Sequence, residues 1–264
     1  MNEKIKIIFQ NENFLIVFKP SGILSIPGRF AKEDPRTCLI PSVKNILATN
    51  EKIDLYTVHR LDFEAQGIVL LAKNKNAHRM ANGWFEKREI KKYYEAITEI
   101  KSTNLLKVDL DKIDRVENAV TASSESSTDL STNWEQWTSF ILRGKKRAYE
   151  MPEPKGKKAI TKANLIGKFV IAEQIYLYWH VMPLTGRSHQ LRFEFYKRGM
   201  PILGDILYDA CISSPLSISL QSRDNIALNA FKLDFKGCPG AITEMGLPAE
   251  ITSPNLLIDS YLLL

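Results

Sequence analysis

The chain has 264 residues, with 36 Lys and Arg against 30 Asp and Glu for a formal charge of +6, and a sequence pI near 9.1. At 44% hydrophobic, 25% charged and 9% aromatic it holds enough apolar material to bury a core, which excludes disorder or a collagen-like fibre as a description of the whole. The cysteines Cys38, Cys211 and Cys238 form no CxxC pair, so neither a disulfide framework nor a zinc ribbon is supported and a reducing cytoplasm is expected.

From the amino terminus, MNEKIKIIFQNENF mixes acidic and basic residues where a signal peptide needs an apolar run, so no export is expected. Lys4 to Phe9 and Phe14 to Phe18 are β-rich runs on either side of the polar Gln10 to Asn13, the pattern of a hairpin. Lys19-Pro20-Ser21-Gly22 is a turn, and Pro27 and Gly28 keep the following segment, as far as Arg29, a structured loop. Gly67 to Ala72 is short, apolar and bounded by polar residues, which predicts a buried strand. Asn76 is positioned to cap a helix whose apolar residues Ala77, Met80, Ala81, Trp84 and Phe85 recur at helical spacing. Lys92 to Ile100 reads as another strand.

Thr121 to Thr132 is nearly all Ser, Thr and acidic residues and cannot bury a core, so a polar surface insertion is expected near 113–134. Strand-like runs resume at Lys162 to Phe169 and Glu173 to His180, and polar residues there break up the longest apolar stretch, so no bilayer span is expected. Arg187 to Arg198 fits strand alternation and one helical face alike; Gly199 and Pro201 just beyond it favour a helix. Strands at Asn225 to Phe235 are expected to close the domain. Without a βαβ rhythm or a 20–50-residue repeat, the expected fold class is α+β on a mixed, mostly antiparallel sheet, organised as a single domain over 1–264.

The chain has no GxGxxG, no GxxxxGK[ST] and no GxSxG, so nucleotide cradles and a nucleophile elbow lack their backbone geometry. His59, His78, His180 and His189 show no metal-ligand spacing, and neither metal nor cofactor is expected. Basic residues cluster at Lys87, Arg88, Lys91 and Lys92, at Arg143, Lys145, Lys146 and Arg147, and at Lys155, Lys157 and Lys158. One such cluster is an ordinary solvated face; together they favour nucleic acid among the polyanions.

Two polar strings remain. His59-Arg60-Leu61-Asp62-Phe63-Glu64 precedes the apolar strand, and in isolation reads as a loop whose Asp caps a turn and whose Arg pairs with Glu64. Thr185-Gly186-Arg187-Ser188-His189-Gln190-Leu191-Arg192 starts the expected helix, with Ser188 as its cap. Taken jointly, they offer a carboxylate and a guanidinium able to keep it ionised as a nucleophile or base.

These strings, in context, resemble the RluA-type pseudouridine synthases. The resemblance is carried by HRLDFEAQGIVLLAK at His59 to Lys73, IKKYYEA at Ile90 to Ala96, and PLTGRSHQLRFEFYKRGMPILGDILY at Pro183 to Tyr208. Weaker blocks are Asn11 to Arg29, Gly156 to Thr161 and Ile226 to Phe235, all in family order, and KPSGILSIPGR is most similar to the branch acting on both transfer RNA and large-subunit ribosomal RNA. The resemblance implies the pseudouridine synthase fold without an amino-terminal S4-like module, RNA as partner and no cofactor; a monomer is the default expectation, which the sequence itself does not set.

It also implies roles. Asp62 matches the catalytic aspartate that attacks the uridine, Tyr94 the tyrosine stacked on uracil, and Arg192 the basic residue that pairs with the aspartate. Arg60 matches a residue that fills the space around the flipped nucleotide. Further RNA contacts are expected from His59, Arg187, His189, Gln190, Lys92 and Arg29. The chain departs from the family pattern where Ala65-Gln66 replace Thr-Ser and Asn229 replaces His, which bears on hydrogen bonding at the Asp62 loop and on the choice of RNA. The alternative is an inert RNA-binding or remodelling protein on the same fold; Asp62, Tyr94 and Arg192 standing together argue against it.

Overall fold

The computed structural model describes residues 4–27, 34–47, 54–100, 134–211, 214, 216 and 225–261. Arg29 and the expected polar insertion, except Trp134, lie outside the described residues. In chain order the elements are β1 (Lys6–Gln10), β2 (Phe14–Lys19), α1 (Leu39–Leu47), β3 (Tyr56–Thr57), β4 (Gln66–Ala72), α2 (Lys75–Glu86), β5 (Lys91–Glu99), β6 (Glu135–Arg143), β7 (Ala148–Glu150), β8 (Lys157–Ile171), β9 (Gln174–Pro183), α3 (Gln190–Lys197), β10 (Leu228–Asp234), β11 (Glu250–Thr252) and α4 (Leu257–Tyr261). They form two compact units, residues 1–93 with 229–256 and residues 94–228 with 257–264.

In the first unit the wholly buried β2 lies antiparallel between β1 and β4, with Phe14 opposite Ala72 and Lys19 opposite Gly67. The hairpin turn forms because the Asn11 carboxamide oxygen accepts from the N–H groups of Asn13 and Phe14 at 2.9 and 2.7 Å, taking the place of a backbone turn acceptor. Strand β10 meets β4 in parallel at Asn229–Gln66 and Ala230–Gly67, and β11 follows it antiparallel. Gly67 permits that approach: its φ is +126°, and a Cβ there would stand 2.4 Å from the Ala230 nitrogen and oxygen.

Helix α2 packs Ala77, Ala81 and Trp84 against Phe14, Ile16, Ile68 and Leu70, as its apolar spacing requires. Its cap is Asn74 rather than the expected Asn76: the helix starts two residues earlier, and the Asn74 side chain accepts from the Ala77 N–H at 2.8 Å. Asn76 is exposed and accepts from Arg79 instead.

In the second unit the strands run in the order β5-β9-β8-β6-β7, antiparallel throughout. Ala172 and Glu173, at φ of 47° and 65°, make the two-residue turn between β8 and β9, so Glu173 belongs to the turn and not to the expected strand. Helix α3 lies on one face of the sheet, with the Phe195 ring edge-on to Trp137 and Trp179 at 5.3 and 5.7 Å. It ends as expected, Gly199 turning left-handed at φ 73° and its N–H returning to the Tyr196 carbonyl. Its start differs. His189, at φ 55°, holds the N-cap position without a side-chain cap bond, and Ser188 does not cap the helix.

Strand β6 escapes a reading by apolar alternation because a polar residue shares its buried face with Trp137 and Ile141: Ser139 is 2% exposed and donates to the buried Glu194 carboxylate at 3.3 Å. Helix α1 is likewise hidden by Pro41 in its first turn. The class is α+β with a mixed sheet, in which β10 meets β4 in parallel and β1, β2, β5 to β9 and β11 make antiparallel pairs.

Candidate active site

Asp62 stands on the loop between β3 and β4 in the first unit, held from both sides by backbone. Ser25, 4% exposed, donates through Oγ to the Leu61 carbonyl at 2.8 Å and accepts from the Leu61 N–H at 3.0 Å, so one hydroxyl closes both polar groups of the residue before Asp62. After it, the Phe63 carbonyl accepts from the Gly22 N–H at 2.9 Å, and the Ala65 N–H turns back to the Asp62 carbonyl at 3.3 Å. Lys19, at the end of β2, is fully buried and its ammonium donates to the carbonyls of Pro20 and Ile23 at 2.9 Å and reaches that of Phe63 at 3.5 Å. Burial pushes the Lys19 ammonium down to about 7, against the carboxylates of Asp62 and Glu64, which favour its charge. This loop is a clamp built of carbonyls, a hydroxyl and one ammonium, with Asp62 half-buried and Arg60 exposed on it.

His59, on the same loop, and Lys92, at the start of β5, both meet Phe85 of α2. The His59 Nε2 accepts from the Leu70 N–H of β4 at 3.0 Å, its ring stacks on Phe85 at 4.8 Å, and the Lys92 ammonium lies 5.8 Å from the centre of the Phe85 ring. Burial, helped by the Lys92 charge, holds His59 well below the usual imidazole range, so Nε2 stays an acceptor. Both residues were expected at RNA; their contacts within the unit tie loop, strand and helix together.

In the second unit Tyr94 is 8% exposed on β5, opposite Val181 of β9. Period-two alternation puts it on the same sheet face as Ala96, whose partner Trp179 packs against Phe195 of α3. Tyr94 therefore faces the side that α3 covers. Arg192, on α3, is 1% exposed and its Nε and one terminal nitrogen each donate to the Asp205 carboxylate at 2.7 Å, a two-pronged bond that aligns the guanidinium plane with that carboxylate.

The start of α3 is organised by Gln190. Its oxygen accepts from the Thr185 hydroxyl at 2.7 Å and the Arg187 N–H at 3.0 Å, while its nitrogen donates to the Ile160 carbonyl and the Thr161 hydroxyl. Four bonds make this side chain a fastening for the helix. Arg187 donates through Nε to the Lys158 carbonyl at 3.1 Å, and His189 places Nδ1 3.2 Å from the Tyr208 hydroxyl.

Residues 13–196 match the family model described as RNA pseudouridylate synthase. This chain belongs to that family. It is 32% identical over 217 residues to the dual-specificity RNA pseudouridine synthase RluA of Salmonella typhi, covering 82% of this chain and 81% of the relative. The ribosomal large subunit pseudouridine synthase D of Borreliella burgdorferi is 30% identical over 238 residues, and there the match spans 88% of this chain and 61% of the relative. In fold, the chain is similar to human RNA pseudouridylate synthase domain containing 1, with a TM-score of 0.64 at 19% identity, covering 97% of this chain and 85% of that one. The chain is an RluA-type RNA pseudouridine synthase, an isomerase acting on uridine in RNA.

Two departures from the synthase pattern meet in the structure: Gln66 and Asn229 are register partners where β4 and β10 run parallel. Asn229 is fully buried and donates to the Asn255 carbonyl at 3.1 Å, so the altered pair sits at the root of the Asp62 loop and inside the first unit. Lys19, Ser25 and Asp205 were not singled out in the sequence. A lysine ending the apolar run FLIVFK and an aspartate inside ILGDILY were the available signals, since a charge in an apolar segment needs a partner. Among the described residues no group of three His, Cys, Asp or Glu side chains could hold a metal, and no helix is long and apolar enough to cross a membrane.

Proposed function

We propose that this synthase isomerises uridines in structured RNA of the transfer or large-subunit ribosomal class, with Asp62 as nucleophile. Its carboxylate attacks the target uridine at C1′ or C6, the N1–C1′ bond breaks, the uracil turns, and C5 joins C1′; the bond to Asp62 then breaks, the C5 proton leaves and N1 gains one, so the carboxylate is regenerated. No net oxidation or addition occurs, and the chemistry requires only a carboxylate, a base and a means of holding the detached ring. Tyr94 stacks on that ring and Arg192 supplies the balancing positive charge. Reaching a stacked base requires flipping it out at a cost of a few kcal/mol. Arg60, exposed beside Asp62, and the basic clusters offset that cost through RNA contacts.

The observation that carries this reading is the Asp62 loop: a half-buried carboxylate between two residues whose backbone groups are all but fixed, on a chain that matches the synthase family over 13–196. The large-subunit ribosomal naming of the Borreliella burgdorferi relative supports the ribosomal class, and the dual-specificity naming of the RluA relatives supports more than one RNA target. The test is tritium release from C5-tritiated uridine in transfer-RNA and large-subunit ribosomal RNA transcripts. Wild-type protein releases tritium and Asp62→Ala falls to background. Release that survives Asp62→Ala overturns the nucleophile, and none from either RNA class overturns the substrate.

A further inference from the structure

One buried tyrosine in the second unit connects the reacting machinery proposed above to a cation-rich surface turn. Tyr208 ends the short 3-10 turn Ile206–Tyr208 and is fully buried. Its ring faces the Arg192 guanidinium, whose central carbon lies 5.4 Å from the ring centre. The same Arg192 is gripped edge-on by Asp205, three residues before Tyr208. The hydroxyl of Tyr208 accepts from the Ala148 N–H at 2.7 Å and stands 3.2 Å from the His189 ring nitrogen. Burial pushes this phenol up to about 12, so it keeps its proton at neutral pH.

Ala148 is the first residue of β7 and directly follows the turn Arg143 to Arg147, where Arg143, Lys145, Lys146 and Arg147 are all exposed. Arg147 lies over the Tyr196 ring at 5.3 Å, and Tyr196 in turn meets Tyr208 at 5.8 Å. Lys157 and Lys158 pair with Ile141 and Phe140, so the third basic cluster flanks the same end of β6. Charges so placed suit a row of phosphates.

We propose that Tyr208 is a positioning residue that ties the Arg143–Arg147 turn to Arg192, so that RNA phosphates held on the turn set the orientation of the guanidinium. The proposal rests on the function given above. Face and edge of Arg192 are both held from one segment, Asp205 to Tyr208, and that segment is hydrogen-bonded to the residue following the turn. A displaced turn therefore pulls on the Tyr208 hydroxyl, and through its ring on Arg192.

The test measures single-turnover tritium release and RNA affinity for wild type, Tyr208→Phe, Lys145→Ala/Lys146→Ala, and the three changes combined. Tyr208→Phe keeps the ring and removes the bond to Ala148. It should slow conversion of bound RNA about fivefold while affinity stays within about twofold, since one neutral hydrogen bond carries roughly 1 kcal/mol. The lysine pair should weaken affinity and slow conversion, and the combined variant should be faster than the product of the two effects. Denaturant unfolding of Tyr208→Phe, with a loss no larger than one hydrogen bond, separates loss of this bond from damage to the core. Wild-type conversion by Tyr208→Phe, or effects that multiply independently, overturns the link while leaving the enzyme reading intact. A wild-type protein that releases no tritium overturns the function and this assignment with it.

Discussion

Asp62 in the first unit stands on a loop held by main-chain carbonyls, one serine hydroxyl and one buried ammonium, whereas Tyr94 and Arg192 in the second stand on a strand and a helix held by side chains. The loop uses few bonds and leaves its carboxylate half-buried, where it can meet a substrate. The helix carries six buried residues in succession, Gln190 to Phe195, with two charges among them answered by Asp205 and Arg198. The difference teaches where each region is vulnerable. Damage to the loop costs activity before stability; damage to the helix network costs stability first, because a charge stranded in a buried site is expensive.

Asp205→Ala gives the largest expected effect. It removes two charge-assisted hydrogen bonds from the Arg192 guanidinium at a site 1% exposed and should destabilise the protein by about 3–5 kcal/mol in denaturant unfolding. Asp205→Asn, which keeps one acceptor, should lie between that variant and wild type. Loss of less than about 1 kcal/mol would mean that the pair is replaceable and that the second unit is not organised around it.

Ser25→Ala comes next. It removes both bonds to Leu61 and should cost about 2 kcal/mol, with a fall in tritium release at unchanged RNA affinity. An unchanged rate would show that Leu61 does not position Asp62, and the contrast between the units would lose its first half.

The last effect is a slope, small at any one pH step. Lys19 has a folded pKa of about 7 against an ordinary 10.5, so between these values the unfolded chain binds more protons than the folded one. Stability from this group is therefore present above 10.5 and lost as pH falls toward 7, at no more than about 1.4 kcal/mol per pH unit. Lys19→Met should flatten the pH dependence of unfolding across that window. An equal slope in both proteins would show that the ammonium is not strained by its burial.

How much of this was legible in advance depended on how local the determinant is. The hairpin of β1 and β2, strand β4 and helices α2 and α3 follow from apolar spacing and from Asn and Gly residues close by in the chain. Strand β6 was hidden by Ser139, whose partner Glu194 lies far along the chain. The cap of α2 was misplaced by two residues because Asn74 and Asn76 are equivalent by type, and only the helix start chooses between them.

The candidate site divides in the same way. Asp62, Tyr94 and Arg192 are nominated by the resemblance to the synthase family, whose motifs lie in consecutive letters of the chain. The motif also nominated His59, Lys92 and Gln190 for RNA; the structure shows His59 on Leu70 and Phe85, Lys92 over Phe85, and Gln190 fastened by four bonds. Composition, motif order and the family were thus determined by the sequence alone, because each is a property of neighbours along the chain. The clamp of Ser25 and Lys19, the grip of Asp205 and Tyr208 on Arg192, and the meeting of Gln66 with Asn229 were decided only by the tertiary structure, because burial selects partners by distance in space.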